Sequence, residues 1–231
     1  MRFYMFWIGC LLSVAATAQT DSLQVDSGID TRYLEDQFYL GVTYNWLVSK
    51  PEEIKQHSFS RSIFGGYQRD IPLNKNRNIG LAAGVGLSYR LTYINLKTQE
   101  GSTGLLYDIV SIQNEHIRKN YYEQYALEFP IEFRWRTSTP YSHKFWRIYT
   151  GAKPAITFSS RYKLDSDSQS YTLHPEVLKG FQCSLYAAVG HNTWNVYVQY
   201  GLRPLFRNSY TQSGVSLESY LLNIGLIFYI L

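Results

Sequence analysis

Five histidines, two cysteines and a scatter of serines and carboxylates are the residues of this 231-residue chain that could support covalent or metal chemistry. A nucleophilic site needs a Ser or Cys beside a His that a carboxylate orients. His57, His116, His143 and His174 fall in polar stretches between apolar segments, and His191 falls at a turn. Only His174, with Ser159, Ser160 and Glu176 near it in sequence, offers all three residue types, and a polar loop accounts for the same residues. No two histidines have metal-ligand spacing, and Cys183 reads as a small apolar residue within an alternating segment. The glycines alternate along such segments and form no phosphate-cradling loop. The expectation is that no residue is catalytic, cofactor-binding or metal-ligating, and that no cofactor is needed.

A second set of residues is more regular. Arg90, Glu128, Glu132, Arg134, Arg136, Arg147, Lys153 and Arg203 each directly follow an apolar residue in an alternating segment. Charges of both signs lie close together, so they could neutralise one another inside a narrow lumen. The chemistry they offer is structural: an ionic network that plugs a channel. The competing reading is a solvated outer face.

Only strands with two different faces put such residues on one side. The clearest covers 79–93, where Ile79, Leu81, Ala83, Val85, Leu87, Tyr89 and Leu91 oppose Gly80, Ala82, Gly84, Gly86, Ser88, Arg90 and Thr92. A second covers 121–136, where Tyr125, Leu127, Phe129, Ile131, Phe133 and Trp135 oppose Gln124, Ala126, Glu128, Glu132, Arg134 and Arg136. Further strands are expected at 37–48, 146–159, 180–190, 194–203 and 219–231. One more is expected at 59–71, where Gly65 and Gly66 leave the facing ambiguous. The links after the second, fourth and sixth strands are short. Those after the others include the long stretches 94–120 and 160–179. An even number of strands with short turns at one end and long loops at the other is the layout of an outer-membrane barrel.

Composition agrees. Aromatic residues make up 16% of the chain and charged residues 17%, against about a quarter in soluble domains. That excludes a disordered chain. The mean hydropathy of −0.24 excludes a helical membrane bundle. A net charge of +4, with bases alternating with acids, gives little support to nucleic-acid binding. Arg2, an apolar run and Ala16-Thr17-Ala18 predict a cleaved signal peptide over 1–18. A polar, acidic lead is expected over 19–36 and one barrel domain over 37–231. Export with one remaining thiol leaves no internal disulfide.

A soluble barrel would hide its apolar face, whereas a membrane barrel turns that face to lipid. Three features favour lipid. The polar face carries paired charges. Its many Gly and Ala residues make room for long side chains in an interior that eight strands barely leave open. Trp135, Trp146 and Trp194 fall near the short-turn ends and Trp46 near the other, as interfacial aromatics do.

Two segments carry a family resemblance. One is Gly65-Gly66-Tyr67-Gln68-Arg69-Asp70-Ile71-Pro72-Leu73, followed by Ile79-Gly80-Leu81 and the Gly-rich strand to Tyr93. The other is Leu127-Glu128-Phe129-Pro130-Ile131-Glu132-Phe133. Over about 38–231 the chain resembles the PorT-like outer-membrane β-barrel proteins of Bacteroidota. The resemblance implies an eight-stranded antiparallel transmembrane up-and-down β-barrel in the cell outer membrane. It further implies a non-enzymatic accessory role in type IX protein secretion and gliding. Outer-membrane lipid and secretion-machinery proteins would be the partners, met through extracellular loops or periplasmic turns. The last strand ends in Leu231, where the usual assembly signal has an aromatic. The rival readings are a lipid A acyl-modifying enzyme, a narrow small-solute channel, and binding through the long tyrosine-bearing loops, which could equally be plain solvated caps.

Overall fold

In this computed structural model the described residues are 36–102, 104–113, 115–137, 145–178, 180–191, 194–206 and 209–230. The expected signal peptide and the lead through residue 35 lie outside them, as does His143.

Among the described residues twelve strands follow in chain order: β1 Asp36–Val48, β2 Arg61–Pro72, β3 Ile79–Tyr93, β4 Leu96–Gly101, β5 Gly104–Ile109, β6 Ile117–Glu128, β7 Ile131–Arg136, β8 Trp146–Ser166, β9 Ser170–Leu173, β10 Gly180–His191, β11 Trp194–Gly201 and β12 Tyr220–Ile230. β6 and β7 are one stave of the wall. Both pair with β3 on one side and β8 on the other, and the break falls at Pro130, which has no N–H for the ladder. The ladder resumes at once, because Gly84 N donates to Pro130 O at 3.0 Å and Phe129 N to Pro154 O at 2.8 Å. With that stave counted once, eight antiparallel strands form the wall. β1 pairs with both β2 and β12, which closes the ring and leaves no free edge.

The alternation in the sequence becomes inside and outside. Phe38, Leu87, Ile131, Phe158 and Ile230 face outward with more than half of their surface exposed, and the outward rows run all the way round. A water-soluble protein rarely shows an apolar patch larger than a few hundred Å². In lipid the same belt loses nothing by exposure. Trp135, Trp146 and Trp194 ring the short-turn end and Trp46 stands at the other. On the inside, Arg134, Arg136, Lys153 and Tyr197 are among the largest fully buried side chains.

The facing of β2 is settled by packing. Ser62, Phe64, Gln68 and Asp70 point inward, while Arg61, Ile63 and Ile71 point out. Glycines admit the bulky rings. A Cβ on Gly41 would lie 2.2 Å from the Phe64 ring, and one on Gly86 would lie 2.1 Å from the Tyr39 hydroxyl.

The long links are more structured than polar loops. β4 and β5 form a hairpin inside 94–116. β8 runs on to Ser166, and β9 folds back along it. A bulge at Tyr125/Ala126 opposite Phe158 lets β8 keep both Thr157 and Ser160 inward.

Candidate functional site

The interior has two stacked regions. The lower one, towards the short turns, is ionic. Arg134 is fully buried and donates Nε to Glu132 Oε1 at 2.6 Å, Nη1 to Asp70 Oδ1 at 3.3 Å and Nη2 to Gln68 Oε1 at 2.9 Å. Its guanidinium lies 4.9 Å from the Tyr149 ring centre. The second oxygen of Glu132 accepts from the Tyr186 and Tyr229 hydroxyls at 2.9 and 3.1 Å. Arg136 donates Nη2 to Asp70 Oδ2 and Nε to Arg77 O. Higher up, Lys153 Nζ lies 3.1 Å from Glu128 Oε2, donates to the Tyr197 hydroxyl at 2.9 Å and sits 4.1 Å from the Phe64 ring centre. Asp70 and Glu132 thus each accept from several donors and Glu128 faces the Lys153 ammonium, which is how a buried charge is tolerated in a low-dielectric interior.

Of the eight charged residues singled out by alternation, Glu128, Glu132, Arg134, Arg136, Arg147 and Lys153 are buried in the lumen. Arg90 also points inward, half-buried, and donates to Gln124 Oε1 at 3.2 Å. Arg203 does not join them. β11 ends at Gly201, so Arg203 leaves the wall, donates to Phe181 O at 3.1 Å and lies over the outward Phe181 ring. Asp70 and Gln68 belong to the network and were not singled out, because the Gly65-Gly66 step hid the facing of β2. Their two-residue spacing in phase with Ser62 and Phe64 was the signal that could have found them.

The upper region is apolar. Leu47, Ile54, Ile94, Leu96, Leu178 and Phe206 are buried in one cluster with residues from all four long links. Its aromatic centre is Tyr122, 4.8 Å from Tyr162 and 5.2 Å from Phe206 between ring centres. Tyr107, Tyr122 and Tyr162, tyrosines of the long links, are the buried core of this cap. Burial pushes the Tyr107 phenol up to about 12. The cap is fastened below by Gln124 Nε2, which donates to Leu178 O at 3.1 Å. It is fastened across by Gln212 N, which donates to Tyr107 O at 2.9 Å.

On its flank the cap opens a cleft of about 750 Å³, walled by Glu52, Lys55, His57, Val110 and Gln113. Asn95 forms its floor and clamps the first long link. Asn95 Nδ2 donates to Glu53 O at 2.9 Å, and Lys55 N donates to Asn95 Oδ1 at 2.7 Å.

The His174 group does not assemble into a nucleophilic site. Ser160 faces inward and its hydroxyl donates to Pro175 O at 2.7 Å. Ser159 pairs with the outward Tyr125 on the opposite face of the strand, and His174 is exposed. Cys183 lies on the outward face among lipid-facing residues, opposite Pro154.

The closed wall, the outward apolar belt and the filled polar interior define an outer-membrane β-barrel. The chain matches the family model described as an outer membrane protein beta-barrel domain over residues 17–207, and it belongs to that family. It resides in the outer membrane. Among solved structures it is similar to Ail, the attachment invasion locus protein of Yersinia pestis, solved in complex with the heparin analogue sucrose octasulfate. That match has 13% identity and a TM-score of 0.30, and covers 84% of this chain and 98% of that one. No match is found among curated protein sequences.

Proposed function

We propose that this barrel is a non-enzymatic accessory protein that works through protein partners held at its outer cap, as the PorT-like factors of type IX secretion would. One observation carries the reading: the four long links share a single apolar core over the barrel mouth. Free solvated loops would not bury Ile54, Leu178 and Phe206 together. A folded cap holds its outer surface in one shape, and a preformed surface loses less conformational entropy when a partner docks. The cleft beside Asn95 is the concave part of that surface. The filled lumen below favours binding over solute passage.

The test is a strain lacking this protein. Its culture-medium and periplasmic proteomes are compared with those of the parent. Cargo of type IX secretion trapped in the periplasm is the expected result, restored by the wild-type chain and not by one with a disrupted cap. Unchanged secretion with altered lipid A acylation would replace this reading with an enzyme. Discrete single-channel currents in a planar bilayer would replace it with a pore.

A further inference from the structure

Among the described residues, the short-turn end of the lumen holds more positive charge than its carboxylates neutralise. Three guanidiniums meet there: Arg134, Arg136 and Arg147. The two carboxylates within reach are already engaged, Asp70 by Arg134 and Arg136, and Glu132 by Arg134 and two tyrosines. Arg147 has no ion-pair partner among the described residues. It is stacked over rings instead, 4.6 Å from the Phe145 centre and 5.6 Å from that of Tyr229.

Arg136 and Arg147 are also direct cross-strand partners on the inward face of β7 and β8. Like charges directly opposite each other in a sheet destabilise it. Both are buried, and each keeps an unused donor: Nη1 of Arg136 and Nε of Arg147 have no hydrogen-bond partner among the described residues. A water molecule could satisfy one N–H but would leave the charge uncompensated. The turns at this end supply no counter-charge, and the acidic residues nearest to it in sequence are Glu35 and Asp36, where β1 begins. The short links 73–78, 137–145 and 192–193 contain no Asp or Glu, and add Lys75, Arg77, His143 and Lys144.

We propose that Arg136 and Arg147 form a socket for one small oxyanion at the periplasmic end of the lumen. Planar guanidinium forks match a phosphate or carboxylate group. An anion there bridges the two facing arginines, takes up the unused donors and removes the like-charge contact. The aromatic walls of Phe145, Tyr149 and Tyr229 exclude competing water. The bound group is either a free ion of the periplasm or an acidic group presented by a periplasmic partner. The socket is independent of the cap, so the secretion reading and this one fail separately.

The full chain, folded in detergent micelles, is unfolded thermally in inorganic phosphate and in chloride at equal ionic strength. Unfolding is followed by the heat-dependent shift in gel mobility. Phosphate is expected to raise the midpoint by several degrees, saturably. Arg147→Met should lose that increment, while Arg203→Met, altered outside the lumen, should keep it. Phosphorus NMR of the wild-type chain gives a second readout that needs no variant: saturable broadening of the phosphate line. An acidic peptide that displaces phosphate would identify a partner group as the occupant, and failure to displace it would identify the free ion. A midpoint that does not depend on the anion, or an equal increment in Arg147→Met, overturns the proposal. Absence of saturable broadening does the same if Arg147→Met fails to fold.

Discussion

Towards its short turns the barrel interior is held together by charge; at its other mouth the four long links are held together by burial of apolar side chains. In the lower region Glu132 and Asp70 each bind several donors, and no member can be removed without stranding another. In the cap the pairs formed by Arg118 stay at the surface, while Arg161 reaches from a half-exposed position to the buried Glu123. Arg118 lies 3.7 Å from both Asp165 and Asp167, in an exposed position where such pairs contribute about 0–1 kcal/mol. The difference follows from what lies outside each wall. Within the membrane the outside is hydrocarbon, so the apolar residues go outward and the polar ones must satisfy each other inside. Beyond the membrane the outside is water, and the ordinary rule returns, with apolar residues inside. One chain therefore changes polarity along its own strands. On β8, Lys153 is buried below, and Tyr162 and Leu164 are buried above.

This contrast can be broken first at Glu132. Glu132→Leu should destabilise the whole barrel by about 3–5 kcal/mol, because Arg134 is left buried and two tyrosine hydroxyls lose their acceptor. The readout is the urea midpoint for loss of heat-shifted mobility. A midpoint unchanged from wild type would mean that the network is not what holds the lower interior. Next comes the outward face. Ile131→Arg places a cation against lipid beside the same network and should cost about 2–4 kcal/mol of insertion. Normal heat-shifted mobility in that variant would contradict the lipid-facing assignment of β7.

Leu178→Ala sharpens the difference between regions. Truncating a buried leucine costs about 2–5 kcal/mol, but here the loss should stay in the cap. Proteolysis and amide exchange are expected to rise in β4, β5 and β9, with mobility of the barrel unaltered. Equal loosening of β7 and β10 would show that the two regions unfold as one.

The smallest effect expected is in alkali. Tyr107 is neutral in the folded cap and its folded pKa is raised, so its contribution is complete below the ordinary tyrosine value of about 10. That contribution is lost as pH climbs through about 12. The difference in absorbance at 295 nm between wild type and Tyr107→Phe should show one phenol titrating near 12. A difference that titrates near 10 would place Tyr107 in water.

Much of the wall could be read from the residues. β3 spans 79–93 as its alternation predicts, and β10 and β11 begin where expected. The inward row Glu128, Glu132, Arg134 and Arg136 was plain because every second residue in that stave changes polarity, and Pro130 falls in the inward phase without shifting it. β2 was harder. Two glycines carry no polarity, so the phase across them is lost and Asp70 with it. Arg203 was misplaced for a related reason: alternation continued for two residues after the strand had ended.

By itself, the sequence determined a two-faced strand repeated eight times, because a period of two survives wherever one side of the strand meets lipid and the other does not. It also determined which face must hold the charges. The tertiary structure alone decided which charges meet. Arg134 reaches Asp70 and Gln68 more than sixty residues away, a proximity set by ring closure and register. It alone decided, too, that the long polar links share an apolar core. Ile54, Tyr107, Leu178 and Phe206 lie far apart in the sequence, and they become a cluster only when closure of the barrel brings the four links over one mouth.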